Sequence, residues 1–210
     1  MATTKELARL LLNVVGLLSN AYGFSFVVGA FPSDIGFGGI FQFLTIIGLT
    51  SVKLKTKKIN HFVAIYKHIA YVATPMEGLI TILYWPMVLY SKELLQHQEV
   101  PFFLPLPLDM SLHLWPAVLL WIDFLAFDVE FVRSKTHIVV IYAFTVWYLG
   151  WSSYCFARNG FWVYPFLSEF STIGRATFFM FCGNVCVAMY EAGKVFIRMV
   201  VSGNKLAGDC

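Results

Sequence analysis

Charge is what this sequence has least of. Only 13% of its 210 residues are Asp, Glu, Lys or Arg, about half the share of roughly 25% usual in soluble domains, and that shortage excludes an ordinary cytosolic protein. Fifteen Lys and Arg against twelve Asp and Glu leave a net charge of +3. That surplus is too small for a nucleic-acid-binding chain, so no nucleic-acid partner is expected. Cysteine is sparse too: Cys155, Cys182 and Cys186 lie in apolar blocks and Cys210 is the last residue, so no disulfide framework is visible and inert, buried thiols are the default. Cys182 and Cys186 share a helix face in a helical reading, but no His or second Cys pair completes a zinc site, and neither metal nor cofactor is implied. Also missing are an internal repeat, a low-complexity segment, an N-glycosylation triplet and a Gly-x-Ser-x-Gly elbow. The lack of that elbow argues against an α/β-hydrolase.

What the chain has in abundance is apolar surface: 59% hydrophobic and 18% aromatic residues, gathered into blocks of the length, about 20 residues, that a helix needs to cross hydrocarbon. The blocks fall near 7–31, 38–52, 69–90, 110–127, 138–156 and 173–201. The run from Leu7 to Phe31 lacks the short core and small-residue cleavage site of a signal peptide, so it is expected to remain as the first span. A β-barrel is the rival way to satisfy backbone groups in lipid, yet VVIYAFTVWYLGW shows none of the period-2 alternation a barrel strand requires. The expected architecture is therefore all-α, a polytopic bundle of six transmembrane helices forming a single integral-membrane domain over 1–210. There is no room for a second, water-soluble domain.

Orientation follows from the basic residues. The N-terminus (Lys5, Arg9), the second connection (Lys53, Lys55, Lys57, Lys58, Lys67), the fourth (Arg133, Lys135) and the C-terminus (Lys194, Arg198, Lys205) hold twelve, against Lys92, Arg158 and Arg175 on the other side. By the positive-inside rule both termini are expected to be cytosolic. The run KLKTKK is read as fixing topology, with a grip on anionic lipid as the lesser reading.

Ionisable residues within spans are costly and raise functional hypotheses. They are Glu77 in the third span, His113 and Asp123 in the fourth, and Glu191 near the end of the sixth, where it is expected to reach the interface beside Lys194 and Arg198. Thr45 and Asn184 add uncharged polarity. At 1.5 Å per residue, His113 lies roughly 5 Å inside the non-cytosolic end of its span and Thr45 roughly 10 Å inside the same side. If the second and fourth spans pack together, a hydroxyl and an imidazole meet in a dry setting, the minimum for a nucleophile with its general base. The bland alternatives are a threonine bonded to its own preceding turn and a histidine serving as an interhelical hydrogen-bonding group. Glu77 and Asp123 read equally as supporting acids or bases and as interhelical glue.

Two stretches sharpen this. The segment FGGIFQFLTIIGL, containing Thr45, resembles the opening of the second span in the androgen-induced and androgen-dependent integral-membrane protein family. GFWVYPFL, Gly160 to Leu167, followed by Gly174, Arg175, Phe178 and Phe179, is similar to the same family's GMWVYPFL…GAR…FF block. The likeness extends over nearly the whole chain, and WVYPFL is its most specific string. Members of that family are intramembrane threonine hydrolases of fatty acid esters of hydroxy fatty acids. The resemblance therefore implies Thr45 as nucleophile and His113 as base. The family His stands ten positions before an acidic residue, as His113 does before Asp123, which favours it over His61, His68, His97 and His137. Two departures bear on how His113 is oriented and on substrate range: Asp109 and Met110 replace an Asn-His pair, and Trp115 with Pro116 alters the following turn.

The expected chemistry is attack of Thr45 on an ester carbonyl, an acyl-enzyme, and its hydrolysis by water, with His113 moving the proton in each step. Such a substrate needs a greasy tunnel, with membrane lipids around the protein. Trp162 and Tyr164 are expected to border its mouth, an interfacial aromatic belt being the other reading. No residue pattern identifies the oxyanion donors. The expected location is the endoplasmic reticulum or another cell membrane. A non-catalytic lipid-binding or regulatory membrane protein is the alternative, and a transporter using Glu77 and Asp123 is a third possibility, without the internal repeat common in transporters.

Overall fold

The computed structural model describes residues 3–30, 37, 59–95, 104–127 and 133–208, and among these every regular element is helical. In chain order they are α1 (Thr4–Ala30), α2 (Ile59–Tyr90), α3 (Leu106–His113), α4 (Trp115–Ile122) running into a π-helical turn over Asp123–Phe127, α5 (Lys135–Asn159) and α6 (Thr172–Gly208). Short 3-10 turns occupy Lys92–Leu94 and Pro165–Glu169. Four helices contain segments long and apolar enough to cross a membrane: Thr4–Phe26, His68–Tyr90, Lys135–Asn159 and Thr172–Phe196. The pair Leu106–His113 and Trp115–Phe127, bent by 44°, makes a fifth if taken as one broken span. The expected span at 38–52 lies outside the described residues.

Local chemistry sets the helix ends. Ser134 caps α5 by accepting the Thr136 N–H at 3.2 Å. Gly160 ends it in the left-handed region (φ 78°), where its N–H reaches the Phe156 carbonyl at 2.8 Å; a Cβ would resist that conformation. Pro105 and Pro107 open α3, with Pro107 in the first turn where no N–H is needed. Inside α2, Pro75 and Pro86 are tolerated because neighbouring helices re-satisfy freed groups. The Cys186 thiol of α6 also donates to the Pro75 carbonyl at 3.8 Å, a cross-helix contact beside the proline.

The expected fourth span, 110–127, is interrupted, and the cause is Pro116. Proline has no N–H to offer the Leu112 carbonyl and its ring crowds that carbonyl, so α3 stops at His113 and α4 restarts at Trp115 at a new angle. The Thr81 hydroxyl of α2 donates to the His113 carbonyl at 2.6 Å, supplying a partner at the break.

Helix α2 packs against α3, α4, α5 and α6, while α1 packs on α3 and α4. Tyr71, Leu79, Phe124, Ile141, Cys182, Cys186 and Tyr190 form the buried cluster between α2, α5, α6 and the π-turn. The outward faces are apolar rather than polar: Leu10, Leu11, Leu17 and Leu18 of α1, Val139 of α5 and Ile173 of α6 are all exposed, as expected of a bundle whose solvent is lipid.

Small residues allow the close helix approaches. A side chain at Gly193 would strike the buried Phe124 ring, and one at Gly23 would lie 2.8 Å from Leu112, whereas a Cβ at Gly150 would meet no other segment within 4 Å among the described residues. Gly193→Ala is therefore expected to lower thermal stability in detergent by about 1–3 kcal/mol, and Gly150→Ala to leave it unchanged or raised. Equal melting temperatures for the two variants would contradict this packing.

Candidate active site

His113 occupies the last helical position of α3, at the break, with its side chain 11% exposed. Its Nδ1 lies 2.8 Å from Oδ1 of Asp109, one turn earlier on the same helix face and itself buried. A carboxylate accepts hydrogen bonds, so in this pair the imidazole Nδ1–H is the donor. No partner for Nε2 is present among the described residues. The Tyr84 ring of α2 stacks on the imidazole with centroids 3.5 Å apart and planes within 6°. The ring is thus fixed by a carboxylate at one edge, an aromatic face against its plane, and Thr81 on the carbonyl of its own residue. Such an arrangement holds an imidazole ready to take a proton at Nε2 in surroundings with little water.

The other sequence-predicted residues are dispersed around this centre. Thr45 lies outside the described residues. Glu77 is 2% exposed, one turn from Thr81 on the same face of α2 and so about 6 Å along the axis from it; its Oε1 has no hydrogen-bond partner among the described residues. Asp123, read beforehand as a possible support for the catalytic group, is not beside His113. It sits at the far end of α4, where Arg9 of α1 grips it with two bonds, Nε to Oδ1 at 2.9 Å and Nη2 to Oδ2 at 3.1 Å. Trp162 is buried, stacked on Phe156 with centroids 4.5 Å apart and covered by the Arg175 guanidinium at 4.7 Å. Arg175 also donates to the carbonyls of Leu167 and Phe170, so Trp162 anchors the α5–α6 connection against α6. Tyr164, two residues on, precedes the Pro165–Glu169 turn, with its ring 6.2 Å from that of Phe166.

A second polar chain lies at the other end of α2. His68 Nδ1 and His137 Nε2 are 2.8 Å apart, His137 Nδ1 and the Tyr190 hydroxyl 2.7 Å, and that hydroxyl accepts the Ser134 N–H at 3.0 Å. Nearby, Glu191 meets Arg133 and, at 3.9 Å, Lys194. No group of three or more metal-ligating residues occurs among the described residues.

Sequence reasoning passed over Asp109 as a supporting group, although its spacing of four residues before His113 on one helix face was a usable signal. Tyr84 gave no such signal, because only the packing of α2 on α3 brings it to the imidazole. Arg9 was read as a topology residue and turns out to be the partner of Asp123.

These features define a multi-pass helical membrane protein with a partly buried imidazole held by a carboxylate and an aromatic ring. The chain belongs to the FAR-17a/AIG1-like protein family, whose match covers residues 8–198. A UPF0641 membrane protein of Schizosaccharomyces pombe is 30% identical over 169 residues, 76% of this chain and 75% of that protein. The human androgen-dependent TFPI-regulating protein is 20% identical across 58% of this chain, and the human androgen-induced gene 1 protein 24% identical across 60%. The chain spans about half the length of these two human relatives, 53% in each case. No solved structure matches it.

The Arg9–Asp123 pair generates its own test. Arg9→Gln and Asp123→Asn are each expected to lower the melting temperature in detergent, and the double variant to lose less than the sum, with a coupling energy of about 0.5–3 kcal/mol. Strict additivity would mean the two side chains do not interact.

Proposed function

We propose that the protein is an intramembrane hydrolase of lipid esters, with fatty acid esters of hydroxy fatty acids as the substrate class, Thr45 as nucleophile and His113 as general base. The observation that carries this reading is the state of His113: an imidazole inside an apolar helical bundle, tethered through Nδ1 and unpartnered at Nε2 among the described residues. An interhelical hydrogen-bonding role would leave Nε2 engaged with another helix. Membership of the FAR-17a/AIG1-like family supports it further.

In the reaction, Nε2 takes the Thr45 hydroxyl proton as Oγ attacks the ester carbonyl carbon. The tetrahedral adduct collapses, its bond to the hydroxy-acid oxygen breaks, and that oxygen leaves with the proton from Nε2. Water then attacks the acyl-threonine and gives a proton to Nε2, and the free fatty acid departs as Oγ regains its proton. No cofactor enters these steps. Apolar side chains of the bundle surround the acyl chain, and Tyr164 borders the mouth.

The chain is proposed to cross the membrane six times as a single domain, with both termini cytosolic and the endoplasmic reticulum as its membrane. The concentration of Lys and Arg at the termini and in the second and fourth connections supports that orientation.

Purified full-length protein in detergent is expected to cleave a fatty acid ester of a hydroxy fatty acid and to be labelled by a fluorophosphonate probe. Thr45→Ala and His113→Ala should each reduce both to background, while expression and melting temperature stay near those of the parent. Turnover surviving in Thr45→Ala would sink the assignment. Absence of any turnover or labelling in well-folded parent protein would favour the non-catalytic lipid-binding or regulatory reading. For topology, an N-glycosylation triplet introduced into the 160–170 connection should be modified in microsomes and one added at the C-terminus should not; the reverse pattern would invert the orientation.

A further inference from the structure

We infer that Asp109 is the positioning residue of this site: its carboxylate fixes the proton of His113 on Nδ1 and offsets the positive charge that the imidazole acquires when Nε2 takes the nucleophile's proton. The inference rests on the hydrolase reading and extends the Thr45–His113 pair to a carboxylate–imidazole–hydroxyl relay. The resembling family carries an Asn-His pair where this chain has Asp109 and Met110, so the carboxylate is a departure of this sequence.

Three observations carry it. Asp109 and His113 are one turn apart on α3, and the 2.8 Å separation of Oδ1 and Nδ1 suits a charge-assisted hydrogen bond. Asp109 is buried, and its carboxylate is directed to the His113 ring. A buried carboxylate in an apolar bundle is costly unless it is hydrogen-bonded, and the bond made here goes to the imidazole. Finally, the Tyr84 stack blocks the imidazole from rotating out of plane, so the bond at Nδ1 determines where Nε2 points.

The proton inventory is simple. During attack the Thr45 proton passes to Nε2, the Nδ1 proton stays on its nitrogen, and Asp109 takes up no proton. Its oxygen faces a neutral N–H in the resting state and an imidazolium N–H at the transition state. The bond therefore strengthens as the barrier is crossed, which raises kcat and leaves substrate affinity alone.

Two measurements test this separately from the hydrolase reading. In full-length parent protein in micelles, labelled with nitrogen-15 histidine and assigned with His113→Gln, the neutral His113 ring should carry its proton on Nδ1. A proton on Nε2 would overturn the inference whether or not the protein is an esterase. In the ester assay, Asp109→Asn should lower kcat by about tenfold or more, the difference between a charged and a neutral hydrogen-bond partner, with KM within about twofold. Asp109→Ala should lower kcat further and shift the neutral ring to the Nε2–H form. If Asp109→Asn turns over at the parent rate, the charge is dispensable and the inference fails while the Thr45–His113 assignment stands. If parent protein shows the Nδ1–H form but no ester cleavage, the positioning role stands and the hydrolase reading fails. Should either variant prove unstable, the tautomer of the parent protein still decides.

Discussion

In hydrocarbon every backbone amide and carbonyl must find its partner inside the protein, and Pro116 denies this to one rung of the span it occupies. The structure answers with a break at Leu114 and a 44° change of direction, and the Thr81 hydroxyl comes across from α2 to the His113 carbonyl. The interruption also places the site. It makes His113 the terminal residue of α3, leaves Asp109 one turn behind on the same face, and turns the imidazole toward the Tyr84 ring. Backbone satisfaction and the positioning of a titratable side chain are here one event.

The polar groups of the bundle fall into two constellations separated along α2. His68 and Tyr84 are sixteen residues apart on that helix, about 24 Å along its axis; His68 anchors a chain of hydrogen bonds across helices, and Tyr84 stacks on the His113 ring that Asp109 holds. Between them lies the cluster of Tyr71, Leu79, Phe124 and Ile141. The two sets differ in kind. His137 has both ring nitrogens engaged, by His68 and by Tyr190, and so joins α2, α5 and α6. His113 has Nδ1 engaged by Asp109 of its own helix, and among the described residues its ring is not bonded to a second helix as His137 is.

Much of the architecture was legible from hydrophobic blocks alone. The segments near 7–31, 69–90, 138–156 and 173–201 each coincide with a helix, because block length in lipid is dictated by the thickness of the hydrocarbon layer. The block at 110–127 was found but its break was not, although Pro116 stood in the sequence, because hydropathy averages over the one residue that lacks an N–H. For the site, His113 was picked by its depth and by family resemblance. Asp109 was noted only as a departure from a pattern, and its meaning appears once a helix places it four residues before the imidazole. Asp123 was left open between a supporting acid or base and interhelical glue, and its bonds to Arg9 join α1 to the end of α4. Tyr84 and the role of Arg9 depend on which helices touch, and no periodicity within one segment encodes that.

The grip of Arg9 on Asp123 joins residues 114 positions apart, which has a consequence for biogenesis. The ribosome delivers α1 to the membrane long before it has made α4, so the guanidinium must wait at the headgroup level without its carboxylate. When α4 arrives it brings the acid that Arg9 grips. The partnership closes late and draws the earliest segment against the middle of the chain, so a nascent polypeptide truncated before Asp123 lacks this ion pair between its first helix and α4.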